Sequence, residues 1–287
     1  MPLSAYELVA DVEQILALPD VCMQIIARLD EQASAAEMSR IISQDIGLSG
    51  RLLKIANSAW YGFPSRVDTI SRAVTILGNG ALRDLVLTTS VINTFGDMSD
   101  DIPDLSRFWR HSIAVAVIAQ HLARQASTPV LQDERLFVAG LLHDVGRVVM
   151  HLRIPELMRV MLHVSKTEQI PMSDAERLIF DIDHGEVGGE LLRIWGLPVS
   201  LQEVAAFHHH PEKATAFPLE VSLVHIANNI AKAAGFHSSE AEQDISIDPK
   251  AWKTTGLNQT GLTKLIKQVE PQYYAALDAF LPKMARG

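Results

Sequence analysis

The residues of this chain best suited to chemistry are its histidines and one carboxylate beside them. In Leu141-Leu142-His143-Asp144-Val145-Gly146-Arg147 an imidazole and a carboxylate stand side by side, between an apolar helical approach from Leu136 and a glycine. Neighbouring helical residues point about 100° apart, so the pair cannot face one solvent direction, but it can flank a pocket between packed helices. There it would hold one divalent metal, or two close together. All eleven histidines lie after residue 110. His111 opens an apolar helix and is either a ligand or a capping or core residue. His143-Asp144 reads equally as metal ligands or as a buried hydrogen-bonded pair. His184 stands beside Gly185 near a helix start, where neutral imidazole is presented without competing side chains. His208-His209-His210 close a helix before Pro211-Glu212 and point in different directions, so at most two of them can share one site. Their bland alternative is an exposed helix end, where a charged imidazole favours the dipole.

Together, His, His-Asp, His and His-His on successive helices supply imidazole and carboxylate donors without sulfur, a mixture that suits iron, manganese or zinc. Such a centre lowers the pKa of a bound water and clamps phosphate oxygens, the usual route to phosphoester hydrolysis. Asp144 would serve both as ligand and in catalysis. Arg147, one turn from His143, would steady a phosphate; it reads equally as a surface arginine.

The elements that must position these residues read as helices, because β-branched alternating runs are short and Ala, Leu, Glu and Arg dominate the periodic segments. Tyr6–Leu16 has helical spacing, Pro19 breaks it, and Val21, Ile25, Ile26 and Leu29 form the next apolar face. Ser34 with Glu37 is a capping box. Leu48–Ser58 and Ile70–Leu77 are helical, the second stopped by Gly78, and Ala81–Phe95 continues the series. Gly96–Asp104 reads as a linker. Beyond it come a strongly apolar helix, Phe108–Arg124, and a helix Leu136–His151 bearing the His-Asp pair. Pro155–Lys166, Asp174–Asp183, His184–Trp195, Ser200–His209 and Phe217–Ala234 follow, with a weakly amphipathic stretch at Leu262–Phe280. Gly188 and Gly189 sit inside a helix, which points to close contact with another helix. Trp60, Tyr61 and Phe63 are a contact surface or core packing. The expectation is an all-α, two-lobed helical bundle: residues 1–100, a helical lobe 101–235 bearing the His-Asp pair and a C-terminal helical extension 236–287.

Apolar residues make up 48% and charged residues 21% of the chain, which describes a globular protein rather than a disordered one. A net charge of −9 leaves no general footprint for nucleic acid or anionic lipid. The single cysteine, Cys22, excludes an intrachain disulfide and suits a reducing compartment, where it reads as a small buried apolar residue. With no signal-peptide pattern and no apolar run near the roughly 18 residues a bilayer needs, a cytoplasmic location is expected.

Several strings resemble the HDOD domain, the HD-related output domain of the HD phosphohydrolase superfamily. They are Leu18-Pro19, Ile42-Ser43-Gln44-Asp45-Ile46-Gly47-Leu48, the run Leu53–Gly62 (LKIANSAWYG), the run Ile70–Gly78 (ISRAVTILG) and the run Ala139–Arg147 (AGLLHDVGR). The resemblance implies that His111 matches the first superfamily histidine and His143-Asp144 the name-giving pair. It implies that His184, His208 and His209 match further histidines of the two-metal HD-GYP phosphodiesterases. The last superfamily aspartate falls on Asn228, whose amide oxygen can touch a metal but brings no charge. HD-GYP enzymes also present lysine where Arg147 stands, and their Gly-Tyr-Pro element is missing; Gly196-Leu197-Pro198 is only a turn. HDOD domains are regarded as signalling output modules. The resemblance therefore implies a regulatory module with a residual centre for one or two ions of iron, manganese or zinc, acting on a signalling protein partner or a nucleotide ligand. The alternative is a working metal-dependent phosphohydrolase on a nucleotide or cyclic dinucleotide. A third reading makes the polar cluster a hydrogen-bond network only.

Overall fold

A computed structural model describes residues 4–10, 12, 16–30, 33–96, 104–126, 133–236, 245–258 and 262–281. Among them every regular element is helical and no strand occurs. The interior of the expected linker at 96–104 lies outside the described residues. The chain divides into two compact units, one of Met1–Leu16 with Ser99–Val269, the other of Ala17–Met98 with Glu270–Gly287.

The first unit begins with α1 (Ala5–Ala10). The second unit is then built from α2 (Asp20–Asp30), α3 (Ala35–Ile42), α4 (Ile46–Ala56) and α5 (Ile70–Gly96). Ser34 Oγ accepts the Glu37 amide at 3.2 Å and Asp45 Oδ1 that of Leu48 at 2.9 Å, so side chains satisfy orphan donors at the starts of α3 and α4. Gly78, with φ +73° and ψ 173°, breaks α5 into two rods in series. This is the stop expected there, except that the helix restarts at once. Helices α2, α3 and α4 all pack on α5. Cys22 is buried at 1% exposure in this core, and burial pushes its thiol up to about 11.

The chain then returns to the first unit with α6 (Leu105–Ala123), buried almost all round, as its strongly apolar middle, Ile113–Ala119, predicts. It packs on α7 (Asp133–Leu142), where Gly140 lets the backbones meet: a Cβ there would lie 2.6 Å from Ala116 Cα. The sequence reading of a single helix over Leu136–His151 is corrected here. Helix α7 ends at Leu142 and α8 (Val145–Arg153) begins three residues later, leaving His143 and Asp144 in the turn. The His143 ring supplies the reason. Its Nδ1 bonds the Gly140 carbonyl at 2.7 Å, the acceptor that the Asp144 amide would need if the helix ran on.

After α8 come α9 (Pro155–Glu168), α10 (Met172–Phe180), α11 (His184–Ile194), α12 (Val199–Phe207), α13 (Pro218–Ala233), α14 (Pro249–Thr255) and α15 (Leu262–Phe280). Helix α11 packs on α1, α8 and α12. A Cβ on Gly146 would lie 1.9 Å from the His184 carbonyl oxygen, and one on Gly189 would meet the Ala206 Cβ at 2.8 Å. The glycines therefore bring α8, α11 and α12 together backbone to backbone. No described helix is long and apolar enough to cross a membrane.

Candidate metal centre

Three breaks in the helical body and one helix flank converge on Asp144. The His-Asp turn supplies His143 and Asp144, the start of α11 supplies His184, the turn after α12 supplies His208 and His209, and α6 supplies His111 from its flank. The Asp144 Oδ1 lies 3.0 Å from His184 Nε2 and 3.4 Å from the Nε2 atoms of both His143 and His208. Its Oδ2 lies 3.8 Å from His111 Nε2 and 3.2 Å from Arg147 Nε. His209 Nε2 faces His184 Nε2 at 2.9 Å. Donor atoms fall into two sets within 4.8 Å of one another, His111, His143 and Asp144, and Asp144, His184, His208 and His209. Asp144 belongs to both. Of the consecutive histidines, His210 stands apart, with Nδ1 3.6 Å from Glu212. Asn228 is buried on α13, and its Oδ1 has no hydrogen-bond partner.

Hydrogen bonds at the far side of each ring decide what the cluster can do. His143 Nδ1 bonds the Gly140 carbonyl at 2.7 Å, and His208 Nδ1 the Ala205 carbonyl at 2.8 Å. A carbonyl only accepts, so each Nδ1 carries a proton, and each ring, when neutral, presents an Nε2 lone pair inward. His111 is held likewise, its Nδ1 2.6 Å from the Phe236 carbonyl. Neither His143 Nε2 nor His208 Nε2 has a hydrogen-bond partner, and both rings are fully buried. Two lone pairs then face a carboxylate oxygen, an arrangement that a cation satisfies and a hydrogen-bond network does not. The described residues therefore fit a divalent cation.

The electrostatics of Asp144, His143 and His209 agree. Burial presses on the Asp144 carboxylate in the other direction, but Arg147, His143 and His184 hold it well below the usual carboxylate range. Burial keeps His143 neutral by pushing it well below its ordinary value, and His209 is pushed down by burial and by His208 and His184. His184 differs. Burial opposes its charge, yet the Glu176 and Asp144 carboxylates lift it to about 9.

Glu176 and His225 carry no signal that isolates them in the sequence. Glu176 is fully buried on α10, and its Oε2 accepts both the His184 amide at 2.9 Å and Nδ1 at 2.6 Å. Asp183 caps α11 through the Glu186 amide at 3.0 Å and is paired with Arg177 Nε at 2.9 Å. His225 Nε2 accepts the Asp248 amide at 3.0 Å, so its Nδ1 donates to the His208 carbonyl at 2.7 Å. It braces the His208 backbone and faces away from the donors.

Comparison with known proteins follows the same lines. A family model described as "HDOD domain" matches residues 15–211. An "Uncharacterized protein" of Treponema pallidum (strain Nichols) is 27% identical over 219 residues, 76% of this chain and 42% of that protein, so the chain spans less than half of its relative's length. A solved structure from Shewanella amazonensis, named "Putative phosphohydrolase", is similar with a TM-score of 0.72 at 23% identity, covering 95% of this chain and 97% of that one. A second, from Marinobacter aquaeolei and named "Putative signal transduction protein", gives 0.71 at 19% identity, covering 97% of this chain and 61% of the other. At those identities the likeness is one of fold.

Proposed function

The chain belongs to the HDOD domain family, and from that premise we propose that it is a signal-transduction module whose conformation is held by a buried divalent metal centre. The observation that carries this reading is the pair of bare, fully buried Nε2 atoms of His143 and His208, aimed at one carboxylate. His111, His143 and Asp144 would hold one ion, and Asp144, His184, His208 and His209 a second, with Asn228 a weaker neutral donor. Iron, manganese or zinc suits this nitrogen-rich set. When bound, such an ion supplies a Lewis acid and an acidified water.

Regulation rather than turnover is favoured by burial and charge. His111, His143, His184 and His208 have no exposed surface and Asp144 has 1%, and only the half-buried His209 of the two donor sets reaches the surface, so access for a substrate is restricted. Asp144 is the only carboxylate in either donor set, and Arg147 already engages its Oδ2. The position where the resemblance expects a further carboxylate holds Asn228. The second reading is hydrolysis of a phosphodiester, and the specific observation for it is Arg147, a guanidinium 3.2 Å from the shared carboxylate and able to take a phosphate oxygen. The name of the Shewanella structure points the same way.

Metal-loaded protein incubated with bis-p-nitrophenyl phosphate, nucleotides and cyclic dinucleotides separates the two. The module reading expects turnover far below about 1 per second, the lower end of ordinary enzyme rates. Turnover at or above that rate, abolished in the His143→Ala/Asp144→Ala double variant, would replace it with the second reading.

A further inference from the structure

The second unit contains a cleft of about 750 Å³ that takes no part in the metal centre. We propose that this cleft, walled by Lys54, Arg66, Asp68 and Asp278 over an apolar floor, binds a nucleoside phosphate. The proposal deepens the signalling reading and rests on it only in supplying the ligand such a module would answer.

Two anchored segments build the wall. Lys54, on the last turn of α4, and Asn57 and Ser58, which follow the helix directly, line one side of the cleft. Asn57 then pins the chain ten residues on: its Nδ2 donates to the Val67 carbonyl at 2.7 Å, and its Oδ1 accepts the Val67 amide at 2.8 Å. Val67 is buried at 1%, so in this non-helical stretch its neighbours Arg66 and Asp68 turn outward together, and both line the cleft. One amide side chain thus fixes a cation and a carboxylate on the same rim.

The chemistry of the lining selects the ligand. Lys54 and Arg66 make no ion pair with a described residue. Arg72 Nη2 donates to the hydroxyl of Ser65, another lining residue, at 2.8 Å, which adds a third cation on that side. These groups suit a phosphate. Phe63 lines the cleft and stacks on Tyr61, ring centroids 5.6 Å apart and planes 15° from parallel, so a base has an aromatic platform with Leu53 beside it. Asp68 and Asp278 accept from sugar hydroxyls or an exocyclic amine. The volume falls within the roughly 300–1,000 Å³ of small-molecule sites.

Isothermal titration of the full chain with AMP, GMP and cyclic di-GMP, and with inorganic phosphate alone, tests this. At least one nucleotide is expected to bind. Lys54→Ala/Arg66→Ala should weaken it by about tenfold or more, since it removes two charged partners. Phe63→Leu, which keeps the apolar volume, should weaken it about tenfold through the lost stacking. No binding by any nucleotide at millimolar concentration overturns the proposal. Unchanged affinity in the Lys54/Arg66 variant overturns it by placing the ligand elsewhere. Phosphate binding as tightly as the nucleotides overturns the ligand class. Metal content of the same samples reads the module proposal independently.

Discussion

Asp144 gathers the Nε2 atoms of four histidines, and the far nitrogen of each ring is fixed by an acceptor on the protein. Three of those acceptors are backbone carbonyls, and the fourth is the Glu176 carboxylate. That difference makes Glu176 a positioning residue with a measurable effect. Glu176→Ala should weaken metal retention about 10- to 100-fold in competition with a chelator, and Glu176→Gln, which keeps one acceptor oxygen, should weaken it less. Equal retention in all three proteins would show that His184 does not ligate. The histidines that gather around Asp144 were legible in the sequence because no His precedes residue 111 and several stand at helix ends after it. Glu176 was not, since a carboxylate eight residues before a histidine looks like any exposed helical acid until its burial is known. Cys22 supplies a second test at this scale. Its folded value of about 11 lies above the ordinary 9.0, so the neutral thiol is favoured in the fold. The associated stability is fully present below pH 9.0 and is lost as pH rises through about 11. Iodoacetamide should therefore label native Cys22 slowly at pH 8 and the unfolded chain quickly; equal rates would contradict its burial.

Helix boundaries place the clustered side chains, and they were legible in part. Ser34 capping α3, Gly78 interrupting α5 and the glycine contact at α11 all follow from residues whose backbone or hydrogen-bonding preferences are local. The turn at His143-Asp144 was not legible, because an apolar period runs through it from Leu136 to Met150 and the interrupting bond is made by an imidazole. Two substitutions test the elements. Gly146→Ala places a methyl 1.9 Å from the His184 carbonyl oxygen. Because backbone rather than a flexible side chain is in the way, the cost should reach or exceed about 3 kcal/mol, the upper part of the overpacking range, with loss of bound metal. Asp183→Ala removes the α11 cap and the Arg177 pair, and should cost about 1–2 kcal/mol in thermal unfolding, with His184 less well held. A Gly146→Ala protein with unchanged stability and metal content would mean that α8 and α11 do not meet as described.

At the scale of the whole molecule, the least legible contacts are those between distant parts of the first unit. His111 is oriented by the Phe236 carbonyl, 125 residues away, and α1 packs on α8 and α11; no local pattern announces either. The all-helical class was legible throughout, since it depends on composition and period rather than on pairing. The proposed centre would tie together α6, the α7–α8 turn, α11 and the turn after α12. Metal binding is then folding free energy. Loading the protein at about 1,000 times its Kd should raise stability by about 4 kcal/mol over the chelated form, read as a higher Tm. An unchanged Tm would show that the cluster does not hold the fold.

The most direct measurement is elemental analysis of protein purified without added metal, beside the His143→Ala/Asp144→Ala variant prepared identically. The account predicts about one to two equivalents of iron, manganese or zinc per chain, with the metal absent from the variant. A wild-type protein that carries none and takes up none on reloading would contradict it, as would equal metal in both proteins.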